Sequence, residues 1–296
     1  PLLAGLAVTH AFIPPTPGPV AVADILNADL GWVIFFGFIV GIPTAIISGP
    51  IFAKYISKRI YVEAPELEME DIDISNYPSV GMILSIIGIP IVLIVSNTFL
   101  NSQLLENVAI PEQLKNWMQM IGHPFSALII ANLIAWYLLG IRRKVDKEKL
   151  LDITTKSMGP AGIIILLTGA GGVFKQMLVN TGSGEMLANQ LAESGIGILF
   201  FAFIVAAIIR ILQGSLTVAM ITAAGITAPL LLTDVGDIDK ALLVIAIASG
   251  ASIMSHVNDS GFWLVNKYLG ITEKQTFRSW TVMTTLLAVV GFIMVS

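Results

Sequence analysis

Of the charged residues inside long apolar stretches of this chain, the two best placed to do chemistry are Arg210 within Gly195–Leu232 and Asp259 within Ala241–Leu269. Placing such a charge amid apolar residues costs roughly 3 kcal/mol on membrane-insertion scales and by default marks function. The guanidinium of Arg210 offers a planar fork that can neutralise a carboxylate ligand bidentately; it could instead pair with Asp259 or with nearby backbone carbonyls. Asp259 could carry a proton, because poor hydration disfavours a charged carboxylate, and it could also cap a helix beginning near Phe262. His10 and His256 each end an apolar run and are candidate proton relays, with a structural histidine as the alternative. Hydroxyls and amides at Thr9, Ser215, Thr217, Asn258 and Ser260 could bind ligand hydroxyls or simply cap their helices. Lys175, near the end of an apolar run, is expected to snorkel, and His123 is expected to be interfacial.

These residues cluster where helices must break. Leu2–Val8 is apolar, Thr9–Pro19 interrupts it with four prolines and a glycine, and Val20–Leu26 resumes; proline lacks the N–H and clashes with the preceding turn. Arg210-Ile211-Leu212-Gln213-Gly214-Ser215 interrupts Gly195–Leu232, and Ser255-His256-Val257-Asn258-Asp259-Ser260-Gly261 separates Ala241–Met254 from Phe262–Leu269. Lipid offers no hydrogen-bond partners, so the backbone groups freed at a break form a polar site. The helix halves expected to restart at Val20, Thr217 and Phe262 would present N-terminal N–H groups suited to an anion. The candidate ligand-binding residues are therefore Thr9, His10, Pro15, Gly18, Arg210, Gln213, Gly214, Ser215, Thr217, Asn258, Ser260 and Gly261, with Asp259, His256 and His10 as candidates for proton coupling.

Composition sets the solvent. Of 296 residues, 55% are apolar and 12% charged, with mean hydropathy +0.85, whereas globular domains carry about 25% charged residues. Several apolar runs approach the roughly 20 residues that cross a bilayer. The net charge of −4 comes without a basic patch, which excludes nucleic-acid binding on electrostatic grounds. There is no cysteine, so disulfides, thiolate metal sites and a cysteine nucleophile are excluded; no cofactor or metal site is indicated. The chain opens within an apolar run without an initiating Met, and an N-terminal portion is expected to precede it.

Basic clusters prefer the cytoplasmic side. Lys54–Arg59 and Arg142–Lys149 are therefore expected inside, with the polar loop around Lys115 outside between the spans Val80–Leu100 and Phe125–Ile141. Gly159–Val179 then crosses outward to the loop Asn180–Ser194. Two arms of about 15 residues in Gly195–Leu232 would each reach about 22 Å, too short for a full crossing, so a re-entrant hairpin opening outward is expected; two thin spans would give the same parity. Asp234, Asp237 and Asp239 fall outside, and Lys267, Lys274 and Arg278 inside. The two broken helices then cross in opposite directions, the first ending its apolar run in Thr9-His10 and the second in Ser255-His256. Such pairs mark inverted-repeat secondary transporters, with substrate and coupling ions at the breaks. The expected fold is an all-α polytopic membrane protein: 1–56 closing a first inverted repeat, 57–77 an acidic loop, 78–157 intervening spans with a basic cytoplasmic loop, and 158–296 a second repeat with hairpin 195–232, broken helix 241–270 and a last span.

The segments Thr9–Pro19 and Ser255–Trp263 closely resemble the two signature breaks of the gluconate:proton symporter (GntP) family, and Gln213–Ala219 looks like its hairpin tip. The resemblance runs in order over nearly the whole chain. It implies the ion-transporter architecture of two inverted repeats, each with a re-entrant hairpin and a broken helix, commonly as a homodimer. It further implies that the first repeat's hairpin lies in the preceding portion, and that a gluconate-like carboxylate is imported with protons across the cell membrane. Another small carboxylate, D-serine and sodium coupling are the alternatives within similar transporters. From other classes, a passive anion channel lacks a need for paired inverted breaks. An intramembrane hydrolase is disfavoured because neighbouring Ser, His and Asp do not make a triad and no His-Glu-x-x-His is present.

Overall fold

The structure, a computed structural model, describes residues 1–60, 77–101, 105, 111–182, 186, 189–190, 193–231 and 235–296. Among them every regular element is helical. In chain order these are α1 (Leu2–Phe12) and α2 (Pro17–Leu26), α3 (Leu30–Ile56) and α4 (Val80–Asn101), α5 (Glu112–Ile121), α6 (Pro124–Ile141), α7 (Lys147–Asn180), α8 (Ile198–Gln213), α9 (Leu216–Leu230), α10 (Asp237–Ala251), α11 (Ser260–Tyr268) and α12 (Glu273–Val295). Four of them, α3, α4, α6 and α12, are long and apolar enough to cross a membrane.

The chain divides into two compact units, Pro1–Pro65 with Leu166–Ser296, and Glu66–Ile165. The first is organised around α10. Its residues from Leu243 to Ala251 are all buried, as expected of a helix apolar on every side, and it packs against α2, α3, α8, α9 and α12. Local signals set where these helices start. Asp29 accepts from the N–H groups of Gly31 (2.9 Å) and Trp32 (3.0 Å) to begin α3, and a capping box between Thr272 and Gln275 begins α12. Both of these spans contain a wide π-type turn, at Ile47–Ile51 around Pro50 and at Phe277–Thr281. In the second unit α4 packs against α5 and α6, and most of the side chains of its two apolar spans face outward.

Several expected boundaries shift for identifiable reasons. The first break narrows to Ile13–Thr16, since Pro17 sits at N1 of α2, where a missing N–H costs nothing. In the hairpin, α8 continues through Arg210 to Gln213 and only Gly214 and Ser215 interrupt it. The restarts move ahead of Thr217 and Phe262 because the capping side chains of Ser215 and Asp259, rather than the apolar run, set a helix start; ahead of Val20 it is Pro17, without a side-chain cap, that begins the helix. The long helix α7 takes in Lys147 and Lys149, with Glu148 N donating to the Asp146 carboxylate at 3.0 Å, so the basic loop shortens. The polar segment around Lys115 forms α5, framed by Pro111 and Gly122. The acidic loop from 61 to 76, much of Asn180–Ser194, and Asp234 lie outside the described residues.

Candidate functional site

The hairpin tip between α8 and α9 and the break between α10 and α11 are fastened together at three points. Arg210, in the last turn of α8, donates from one Nη to Gly214 O and from the other to Asp259 Oδ2. Asn258 Nδ2 donates to Ile211 O (2.9 Å) and Leu212 O (3.3 Å), completing the carbonyls that α8 leaves open at its C-terminus. Gly214, at φ +76°, lies directly on the Asn258 backbone, so this turn requires a residue with no Cβ.

Asp259 serves two masters within its own break. Its Oδ1 accepts from Gly261 N at 3.0 Å and caps α11, while Oδ2 accepts from the Ser255 hydroxyl as well as from Arg210. Ser255 is a hub. Its Oγ accepts from Trp280 Nε1 (2.5 Å), its N–H donates to Thr284 Oγ1 (3.2 Å) and its carbonyl accepts from Thr281 Oγ1 (2.5 Å). The carboxylate is thereby tied to α12 through a chain of buried or half-buried hydrogen bonds. Arg210 and Asp259 are 4% and 9% exposed; a pair this dry is strongly destabilised if either partner is removed.

A cavity of about 770 Å³ opens beside this network. Its walls come from α1 through His10, from the hairpin tip through Arg210, Gln213, Gly214, Ser215 and Thr217, from the second break through Asn258, Asp259, Ser260 and Gly261, and from α12 through Trp280 and Thr284. The N-termini of α9 and α11 both begin at its wall, and first-turn N–H groups have no acceptor inside their own helix. Leu3, Leu6, Leu216, Leu264 and Leu287 make much of the remaining wall apolar, so the hydroxyls, amides, guanidinium and two helix N-termini form one polar side of the space, and that side suits the carboxylate and hydroxyls of a small ligand. Among the described residues no group of three or more His, Cys, Asp or Glu side chains comes together as a metal site.

The whole chain, residues 1–296, matches the family model for GntP family permeases. The chain belongs to that family. It is 40% identical to the gluconate permease of Pseudomonas aeruginosa over all of its own length and 65% of the relative's. It is 41% identical to the low-affinity gluconate transporter of Escherichia coli K12, covering 99% of the chain and 65% of the relative, and 34% identical to the gluconate permease of Bacillus subtilis, covering 98% and 66%. The chain thus spans somewhat under two thirds of the length of these permeases. No solved structure matches it.

Not every residue expected at the site reaches the cavity. Thr9 spends its hydroxyl on Gly5 O (2.9 Å) and Leu6 O (3.1 Å) of its own helix. Pro15 is exposed elsewhere, and Gly18 is buried against Met220 and Leu216 of α9, where it seats the first break on the hairpin. His256 lies in the second break but not on the cavity wall, and its Nδ1 is buried without a partner. Ser215 caps α9 by accepting from Val218 N at 3.4 Å. Sequence reasoning missed Ser255, Trp280, Thr281 and Thr284. A signal existed for the last helix: Trp280, Thr284 and Leu287 recur at i, i+4 and i+7, one face of an otherwise apolar span.

Proposed function

We propose that this chain forms the binding and coupling core of a secondary active transporter that imports gluconate or a related sugar acid with protons. It would work in the plasma membrane as a multi-pass homodimer. The observation that carries the reading is the convergence of a helical hairpin tip and a broken helix on one cavity whose wall holds a buried Arg210–Asp259 pair. The relatives named as gluconate permeases support the choice of substrate.

The paired breaks support inverted repeats. The pairs α1/α2 and α10/α11 are each followed by an apolar helix of spanning length, α3 and α12. The wide turn lies near the C-terminal end of α3 and near the N-terminal end of α12, which puts both turns on one side of the membrane if the repeats are inverted. Hairpin arms of 16 α-helical residues in α8 and of 12 α-helical residues followed by a 3-residue 3₁₀ turn in α9 would each reach only about 24 Å, short of a bilayer core of about 30 Å, and this supports a re-entrant hairpin. Cysteines introduced at Lys58 and at Asp237 should label from opposite faces of the membrane, the first from the cytoplasm.

Reconstituted full-length protein tests the transport itself. Vesicles with an alkaline interior should accumulate labelled gluconate above equilibrium without sodium, and a panel of unlabelled sugar acids should compete according to their fit. Equilibration without accumulation would indicate a channel, and accumulation driven only by a sodium gradient would replace the proton.

A further inference from the structure

Among the described residues the cavity wall carries one permanently cationic side chain, Arg210, and that cation is already engaged by a carboxylate of the chain itself. A carboxylate arriving in the cavity therefore meets a neutral pair. We propose that Asp259 stands on Arg210 in the place of the substrate's carboxylate, and that substrate and Asp259 exchange there, the substrate binding only when Asp259 has taken up a proton. This rests on the transport reading above and names how the two fluxes are tied together.

The geometry supports an exchange rather than a fixed brace. Asp259 reaches Arg210 through Oδ2 and a single Nη2, and the neighbouring Nε is buried with no partner. Nε and Nη2 share the edge of the guanidinium that a free carboxylate grips with both oxygens. Asp259 cannot do so, because its Oδ1 is held at the N-terminus of α11 by Gly261 N. A substrate carboxylate has no such duty and can fill both positions. Arg210 stays in place through the exchange, because its other Nη remains on Gly214 O and keeps the hairpin tip formed. Protonated Asp259 keeps its cap through Oδ1, and its new O–H can donate to Ser255, whose hydroxyl oxygen has two lone pairs and can retain Trp280 on the other. Among the described residues, the ionisable groups around Asp259 are Arg210 on the hairpin, His256 in its own break and His10 across the cavity; α12 contributes Trp280, Thr284 and Leu287, none of them charged.

Charge then decides which forms can change orientation. The empty form holds Arg210 with ionised Asp259, and the loaded form holds Arg210 with the substrate anion beside neutral Asp259; both are neutral. Proton alone leaves Arg210 unpaired, and substrate alone leaves an excess carboxylate, and an uncompensated charge in a dry site is heavily penalised. One proton and one monoanion therefore cross together and carry no net charge.

The test uses full-length protein in proteoliposomes with gluconate as probe. Wild-type protein should take up one proton per gluconate with no current on a supported membrane, and accumulation should follow the pH gradient while ignoring an imposed potential. Gluconate affinity should weaken by about tenfold per pH unit once Asp259 is ionised. Asp259→Asn should bind gluconate without pH dependence and exchange it without concentrating it. The double variant Arg210→Gln with Asp259→Asn, which leaves no buried charge, should fold and not bind. A net current in wild-type uptake overturns the exchange, as does wild-type pH dependence retained in Asp259→Asn; should that variant fail to fold, the wild-type current and stoichiometry decide. Wild-type protein that accumulates no sugar acid under any pH gradient fails the transport reading itself, whereas accumulation accompanied by current fails only the exchange.

Discussion

The two broken helices share a layout and differ in what holds them. The first break, Ile13–Thr16, is short and carries no ionic group; Thr16 Oγ1 bonds to Ile13 O at 2.8 Å, and α2 restarts on Pro17 without a side-chain cap. The second, Ser252–Asp259, is longer and is held by the Ser255 hub, the Asp259 cap and the ion pair to Arg210. Proline stiffness makes one break a fixed packing element, while the other depends on a polar network that a proton can alter. Similar helix–break–helix layouts thus carry unequal chemistry, and in the exchange proposed above the coupling falls on the second break.

The sharpest way to break this contrast is to unpair its charges. Arg210→Gln leaves Asp259 buried without its counter-charge and should cost about 3–5 kcal/mol, read as a lowered thermal midpoint of the purified protein. Adding Asp259→Asn should restore most of the loss. A single variant as stable as wild type would mean that water or a rearranged side chain already satisfies Asp259, and the second break would be no more charge-dependent than the first. Next in size is Ser255→Ala, which strands the Trp280 N–H and takes one donor from Asp259. It should cost about 1–3 kcal/mol and reduce proton-driven accumulation more than exchange.

Each break also meets the hairpin at a glycine, and the two contacts differ in give. A Cβ on Gly214 would run into the Asn258 backbone at a positive φ, whereas a Cβ on Gly18 would meet the Met220 sulfur at 2.8 Å. Backbone cannot step aside, but a methionine side chain can. Gly214→Ala should therefore cost about 1–3 kcal/mol and weaken gluconate binding, and Gly18→Ala less than about 1 kcal/mol. Equal losses would show that both breaks are equally rigid against the hairpin.

Breaks were legible because Pro, Gly, Asn and Asp punctuate apolar runs that otherwise read as helix. Their edges were not, because the apolar pattern marks where side chains are buried, while Pro17, Ser215 and Asp259 mark where the backbone turns helical. Arg210 and Asp259 stood out individually as charges in apolar runs. Their pairing joins positions 49 residues apart, and no local pattern encodes that. Ser255 was read only as part of the break, beside His256, for a related reason: its importance lies in partners on α12, which an isolated serine in a break does not announce.

The smallest expected effect tests how far the likeness of the breaks can be trusted. Thr9 and Ser255 occupy corresponding places, each a hydroxyl residue just before a histidine at the end of an apolar run. On symmetry alone both would serve the site. Thr9, however, is exposed and turns its hydroxyl back onto Gly5 O and Leu6 O, bonds that a helix carbonyl already satisfied by its own backbone does not need. Ser255 is fully buried with four partners. Thr9→Ala should consequently change stability by no more than about 0.5 kcal/mol and leave the initial rate and extent of gluconate accumulation unaltered, in contrast to Ser255→Ala. If Thr9→Ala instead impairs accumulation as much as Ser255→Ala does, the hydroxyl must leave its own helix during the cycle and enter the site, and the two breaks would share the chemistry that this state assigns to one.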